Sequence, residues 1–326
     1  MINIIIILIS AILSIVFFIN SKNIANIFDL YDFPNERKIH KEPIPLIGGL
    51  ILLLVLTVFY ILIIFLSDFD VINSHTLIIS IYIITIFGIL DDKKDIRANI
   101  KLLFFIFFFL IHFFLNDYLV INNLKFSSFN YDFNLGIFSI IFTTLCSLLL
   151  INAINMSDGI NGLSASIQII IFLFLIYFNF NNISLTNSTS NFSDYFIIFS
   201  SFYILILIIF LIFNMYEKVF LGDGGTFLIS FILINSLLFN YKNLQFFYPE
   251  NILMLLWIPG LDMLRVFIIR ILSKKNPFNP DRNHFHHILR KIFNNNIYCL
   301  IYYITLILLS NISVIKYPQH SLIILI

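Results

Sequence analysis

Long apolar runs alternate with short polar interruptions along the whole chain. A helix needs about 16 to 22 apolar residues to cross a bilayer, and such runs fall at 3–20, 46–66, 75–90, 100–115, 136–153, 163–180, 195–214, 226–240, 250–272 and 297–313. The pattern predicts an all-α, polytopic integral membrane protein with about 10–11 transmembrane helices. Residues 321–326 are apolar but too short to cross, so they form either a fragment of an eleventh helix or an interfacial end. The first run is read as an anchor and not as a signal peptide: no basic segment precedes it, no small-residue cleavage site follows, and Lys22 lies beyond it. No repeat, long linker or separate soluble domain breaks the pattern, so residues 1–326 are expected to form a single transmembrane domain. The stretch Asn181–Asp194, rich in Asn, Ser and Thr, reads as a solvated loop.

Five interruptions carry chemistry: Asn35–His40, Asp91–Asp92, Asn152–Asn161, Gly222–Gly224 and His284–His287. Each follows an odd-numbered run, which puts all five on one membrane face. Polar groups at a lipid boundary are costly without a partner or a task, so their gathering points to a single site. Charge sets the side. Of the 19 lysines and arginines, only Lys125, Lys242 and Lys316 fall on the opposite face. The positive-inside rule therefore places the five segments in the cytosol and the N-terminus outside.

Composition closes off other classes. A chain that is 60% hydrophobic and 11% charged, with a mean hydropathy of +0.98, is not a soluble domain. Its cations are taken up by topology, and no nucleic-acid partner is expected. Cys146 lies inside a helix and Cys299 near the start of another, which implies no disulfide framework. The 40 phenylalanines read as lipid-facing bulk.

Asp91 and Asp92 close the third run. A helix end with mixed solvated charges would explain them, but two adjacent carboxylates also suit a hard cation such as Mg2+, which takes one or two carboxylates plus substrate phosphates. In the next segment Asn152, Asn155, Asp158 and Asn161 recur every third residue across the end of the fifth helix, on a slowly drifting common face. Gly159 and Gly162 then loosen the helix and let a ligand approach the backbone. Asp223, set among Gly222, Gly224 and Gly225, stands at the mouth of the eighth helix, where exposed N–H groups suit phosphate.

In the longest cytosolic loop, Asn279-Pro280 reads as a helix start, with His284 and His287 sharing a face and His286 pointing elsewhere. Three histidines suggest zinc, yet the other candidate ligands are carboxylates and amides, which favour Mg2+. Histidines and Arg282 then serve as phosphate and substrate binders, the bland alternative being a basic interfacial helix. The first loop adds Arg37, Lys38, His40 and Lys41, which topology alone explains but which also offer recognition of an anionic lipid or nucleotide.

Taken together, the segments PNERKIHKEPIPLIGGL, GILDDKKDIR, NAINMSDGINGL, FLGDGGTFL and NPFNPDRNHFHHIL resemble the polyprenyl-phosphate N-acetylhexosamine-1-phosphate transferase family, also called glycosyltransferase 4, from about Tyr31 to Arg290. PDRNHFHH and PNERKIH are similar to the branch that loads N-acetylglucosamine phosphate for O-antigen, common antigen or teichoic-acid linkage, not to the branch making peptidoglycan lipid I. Asn161 and Gly224-Gly225 depart from the family pattern, and Asn161 bears on donor preference.

The resemblance implies that undecaprenyl phosphate attacks the β-phosphorus of a UDP-N-acetylhexosamine in one in-line displacement, at the cytosolic face of a bacterial inner membrane. With it comes Mg2+, or Mn2+, held by Asp223 with Asp92 as ligand or support, while Asp91 is a candidate base. Asn152, Asn155, Asp158 and Asn161 would line the nucleotide and sugar pocket, and Arg282, His284, His286 and His287 would hold the diphosphate or sugar. Membrane lipids are the remaining partners, and oligomeric state stays open, a homodimer included. Two other classes compete: a secondary transporter, which should carry mid-span ionisable groups and internal repeats, and a zinc hydrolase, for which no HExxH pair exists.

Overall fold

A bilayer offers no hydrogen-bond partner to a backbone, so apolar runs of this length fold as helices that satisfy their own amides. The computed structural model describes residues 2–34, 41–66, 74–128, 131–186, 191–244, 247–274 and 283–316. Among them are thirteen α-helices: α1 (Ile2–Ile19), α2 (Ser21–Phe28), α3 (Gly48–Leu66), α4 (Ser74–Lys94), α5 (Ala98–Leu115), α6 (Ser139–Ser157), α7 (Leu163–Thr186), α8 (Asn191–Met215), α9 (Gly222–Asn243), α10 (Pro249–Leu255), α11 (Trp257–Leu272), α12 (Phe285–Phe293) and α13 (Asn296–Lys316). Two-residue strands make two small antiparallel pairs, β1 (Tyr31–Asp32) with β2 (Ile44–Pro45) and β3 (Asn123–Leu124) with β4 (Phe133–Asn134). The protein is all-α and polytopic.

Eight of these helices, α1 and α3 to α9, are long and apolar enough to cross a membrane. The ninth apolar run is not one straight span. It breaks between α10 and α11 with a bend of 79°. Pro259 has no N–H to give the carbonyl four residues back and its ring crowds that carbonyl, so an unbroken helix cannot run through it. The tenth run is the shorter apolar stretch Asn296–Ile312 of α13. The expected loop Asn181–Asp194 is largely helical, since α7 runs to Thr186 and α8 starts at Asn191. The C-terminal run 321–326 lies outside the described residues.

The chain divides into two compact units, Met1–Ile96 with Asp194–Ile232, and Arg97–Ser193 with Leu233–Ile326. Apolar side chains gain little by leaving lipid for protein, so helix association in each unit rests on close packing and interhelical hydrogen bonds. In the first unit Phe59 of α3 stacks on Phe202 of α8 at 3.7 Å, and Phe18 of α1 stacks on Phe213 at 5.4 Å. In the second unit Nε2 of His112 and Oδ1 of Asn235 lie 2.9 Å apart, and Asn179 donates to Asn240 at 2.6 Å. The phenylalanines thus pack helices as well as face lipid.

Glycines in the first unit bring three helices into backbone contact. A Cβ on Gly49 would collide with the backbone of Gly225, and one on Gly88 would stand 2.5 Å from the Cα of Gly224. The amides of Gly48 and Gly49 donate to the carbonyls of Phe220 at 2.9 Å and Leu221 at 3.0 Å, fixing the start of α3 against the approach to α9. Gly88→Ala is expected to force the ends of α4 and α9 apart and to destabilise the protein by about 1–3 kcal/mol. Thermal unfolding of the detergent-solubilised protein checks this, and an unchanged midpoint would contradict the close approach.

Candidate active site

The first unit joins the two acidic motifs. Helix α4 continues past the predicted end, so Asp91 and Asp92 occupy its last turns with Lys93 and Lys94, whose charges suit the negative end of the helix dipole. Asp91 is buried, and its Oδ1 accepts the amide of Ile96 at 2.9 Å, where the chain reverses through Asp95 in the left-handed region (φ 47°). Asp92 reaches a segment 131 residues away. Its Oδ1 accepts the amide of Asp223 at 2.8 Å and its Oδ2 that of Gly224 at 3.1 Å.

The N-terminus of α9 is therefore not an open phosphate cradle, as the sequence suggested. Asp92 fills it, because a carboxylate is the natural partner for the unpaired amides and positive dipole end of a helix. Gly222 allows this approach twice over: its φ of +72° favours glycine, and a Cβ there would stand 2.6 Å from Oδ2 of Asp92. The result holds Asp223, in the first turn of α9, against Asp92. Arg37, Lys38 and His40 of the first loop lie outside the described residues, and Lys41 is exposed.

The second unit gathers the amide-rich and histidine motifs. Asn152 and Asn155 lie on α6, half-buried, with Asn152 Nδ2 donating to the carbonyl of Leu148 at 2.7 Å. The three-residue spacing does not keep all four residues on a helical face: α6 ends at Ser157, Asp158 is its C-cap, and Asn161 sits in the turn that follows. Asp158 accepts the hydroxyl of Ser164 at 2.5 Å, clamping that turn to the start of α7. Gly162 takes a φ of +82° there.

The space beside Gly159 is filled by the chain itself. A Cβ at that position would collide with Nε2 of His286, so His286 takes the close approach that sequence reading assigned to a ligand. His286 is buried, and its Nε2 has no hydrogen-bond partner among the described residues.

Helix α12 also begins later than predicted. Asn279 and Pro280 lie outside the described residues, as does Arg282, but His284 has extended backbone (φ −63°, ψ 151°) and is the N-cap of α12. His284 and His287 therefore do not share a helix face. It is His284 and His286 that stack, with rings parallel to 2° and centroids 5.8 Å apart, while His287 lies against His286 at 4.1 Å.

Sequence reading missed Asp262 of α11. Its Oδ2 lies 3.1 Å from Nδ1 of His284, and its Oδ1 accepts the amide of Phe285 at 2.9 Å and Nη2 of Arg265 at 2.8 Å. The signal was present: an ionisable residue within an apolar run needs a partner or a task.

The donors of the first unit suit a hard divalent cation. Among the described residues no three His, Cys, Asp or Glu side chains form a complete metal cage; Mg2+ needs none, because water and substrate phosphates complete its shell around one or two carboxylates. Asp91, Asp92 and Asp223 are all oxygen donors, which fits that cation better than zinc.

Comparison with known proteins agrees with these motifs. Residues 74–240 match glycosyl transferase family 4. Across 314 residues, 92% of this chain and 80% of the relative, the sequence is 28% identical to an undecaprenyl-phosphate alpha-N-acetylglucosaminyl 1-phosphate transferase of Escherichia coli O157:H7. A Yersinia pestis protein of the same description is 29% identical, covering 85% of this chain and 74% of its own. A probable undecaprenyl-phosphate N-acetylglucosaminyl 1-phosphate transferase of Bacillus subtilis is 27% identical, covering 82% and 71%.

Two outcomes test the geometry. Asp92→Ala should leave the amides of residues 223 and 224 without their acceptor, costing about 1–2 kcal/mol and speeding hydrogen exchange at the start of α9; Asp92→Asn, which keeps one carbonyl oxygen, should fall between. Unchanged exchange there would show that the clasp carries no stability.

His286 supplies a pH test. Burial, reinforced by His287 and His284, lowers its pKa to about 3, despite Asp262 acting in the opposite direction. It stays neutral when folded and charges on unfolding, so its stabilising contribution is complete above about pH 6.5 and is lost as pH falls toward 3. Melting of the wild type should fall across that window more steeply than melting of His286→Gln. Equal slopes would place the proton elsewhere.

Proposed function

The chain belongs to glycosyl transferase family 4, and from that premise we propose that it transfers N-acetylglucosamine 1-phosphate from UDP-N-acetylglucosamine to undecaprenyl phosphate, releasing UMP. The observation that carries the reading is the clasp of Asp92, at the end of α4, on the backbone amides of Asp223 and Gly224 at the start of α9, with Asp91 beside it in sequence. The relatives' descriptions supply the acceptor and the sugar. PDRNHFHH favours this branch over the one making lipid I, and supports reading the reaction as the first membrane step of a surface polysaccharide such as O-antigen or common antigen.

Phosphoryl transfer asks a protein for positioning and charge neutralisation more than for covalent chemistry. An oxygen of the lipid phosphate attacks the β-phosphorus, the bond from that phosphorus to the bridging oxygen breaks, and UMP leaves with the electron pair. Since the second pKa of such a monoester is about 6, the acceptor is largely dianionic at neutral pH. Asp91 therefore serves to orient the acceptor more than to deprotonate it.

Asp223 and Asp92 would hold Mg2+, or Mn2+, which when bound neutralises charge on the diphosphate. Asp92 also fixes the backbone from which Asp223 projects. Asn152, Asn155, Asp158 and Asn161 offer amide and carboxylate groups to the uridine and sugar, and His284, His286 and His287, with Arg282, donors to the diphosphate. Arg37, Lys38, His40 and Lys41 would attract the anionic substrates. The cation asymmetry supports a cytosolic site in the bacterial inner membrane.

Purified protein given undecaprenyl phosphate, UDP-N-acetylglucosamine and Mg2+ should release UMP and form a lipid-linked product. Asp223→Asn should lower turnover about 100-fold or more, because a neutral amide holds a hard divalent cation far more weakly than a carboxylate does. Full turnover in excess chelator, or a normal Asp223→Asn enzyme, would refute the metal assignment. A panel of UDP-N-acetylhexosamines identifies the sugar.

A further inference from the structure

Asp262 has no part in the chemistry described above, yet three groups of the histidine segment and its own helix converge on it. It sits on α11, just past the break at Leu256, with its side chain only 9% exposed. Phe285 supplies the first amide of α12, and His284, the N-cap of that helix, makes no side-chain cap of its own. Asp262 therefore caps α12 from a different helix. Arg265, one turn along α11, pairs with the carboxylate at 2.8 Å and also donates through Nη2 to the carbonyl of Asn283, so the chain entering α12 is tied to α11 by two side chains.

The contact with His284 carries more than packing. A carboxylate that accepts from a guanidinium and a backbone amide is ionised, and an ionised carboxylate only accepts. The hydrogen between Oδ2 and the ring therefore resides on Nδ1 of His284. The partner of one imidazole nitrogen decides the state of the other, and Nε2 is left as the ring nitrogen that can meet a substrate.

The geometry points to Asp262, supported by Arg265, as a positioning residue: it sets the register of α12 and holds His284 with its proton on Nδ1, so that Nε2 faces the diphosphate or sugar of the donor. This assignment rests on the transferase reading for its consequence, though not for its structure.

The test uses the full chain in detergent with Asp262→Asn, Asp262→Glu and Asp262→Ala. Spectra of protein labelled with 15N-histidine, with His284 assigned by His284→Gln, should show hydrogen on Nδ1 in the wild type and lose that signature in Asp262→Asn. Hydrogen exchange at residues 285–288 should quicken in Asp262→Ala while α6 and α7 exchange as in the wild type. In the transfer assay the KM for UDP-N-acetylglucosamine should rise about tenfold in Asp262→Asn, the scale seen when a group that orients a ligand-binding histidine is removed. The KM for undecaprenyl phosphate should stay within about twofold, and Asp262→Glu should recover part of the loss.

A wild-type His284 spectrum and wild-type α12 exchange in every variant would overturn the proposal. So would activity that falls only in step with global melting and is not recovered by glutamate. If the wild type transfers no sugar phosphate at all, the transferase reading fails, and the spectral and exchange results still decide whether Asp262 holds His284.

Discussion

A backbone amide at the edge of a membrane must have an acceptor, and the start of α9 depends on finding one. Asp92 provides it from the end of α4. The need arises because the first amides of any helix lack an internal partner, and the packing of α3, α4 and α9 on glycine leaves no room for a side chain of their own to turn back and cap them. The same carboxylate therefore closes the helix end and joins two acidic motifs that are far apart in the chain. Stability and site are one construction here. The glycines at 49 and 88 are better understood as what allows the backbones to meet than as turn formers, while Gly222 admits the Asp92 carboxylate at a positive φ.

The second unit repeats the device with different parts. Asp262 closes the N-terminus of α12 from α11 as Asp92 closes that of α9 from α4, and in both cases the capped segment carries candidate chemistry. A short helix such as α12 has little intrinsic stability. Held by the hydrogen bond from the Phe285 amide to Asp262, by the seat of His286 beside Gly159, and by Phe285 and Phe293 against Tyr303 and Tyr302 of α13, it has a defined position. Buried His286 is kept neutral by that seat, while His284, also buried, is held by Asp262.

The apolar spans were legible because one physical requirement, length in hydrocarbon, dominates them. Boundaries followed less closely. Polar residues of 181–186 stay helical because a helix satisfies its own amides in water as well as in lipid, so composition alone does not mark its end. The break at Leu256 was hidden by continuous hydrophobicity, although Pro259 announced it. The residue types of the candidate site were readable, since ionisable groups stand out against an oily background. Their contacts were not. Nothing in the local sequence says that Asp92 spans 131 residues to an amide, or that an Asp-Arg pair one turn apart on α11 anchors the histidines instead of only setting topology. Those depend on which helices lie side by side, and that is decided by packing throughout each unit.

Adjacent residues in a helix project about 100° apart, which explains why the Asp91-Asp92 pair does not behave as two copies of one group. Asp91 turns into its own chain and takes the amide of Ile96, steadying the reversal after α4. Asp92 turns outward to α9 and gives both oxygens to backbone amides there. Two N–H donors on one carboxylate spread its charge, and Asp223 meets that carboxylate through its backbone amide. Asp91 is tied to a local turn and Asp92 to α9. A pair of identical residues thus separates into one that steadies its own chain and one that joins a distant segment.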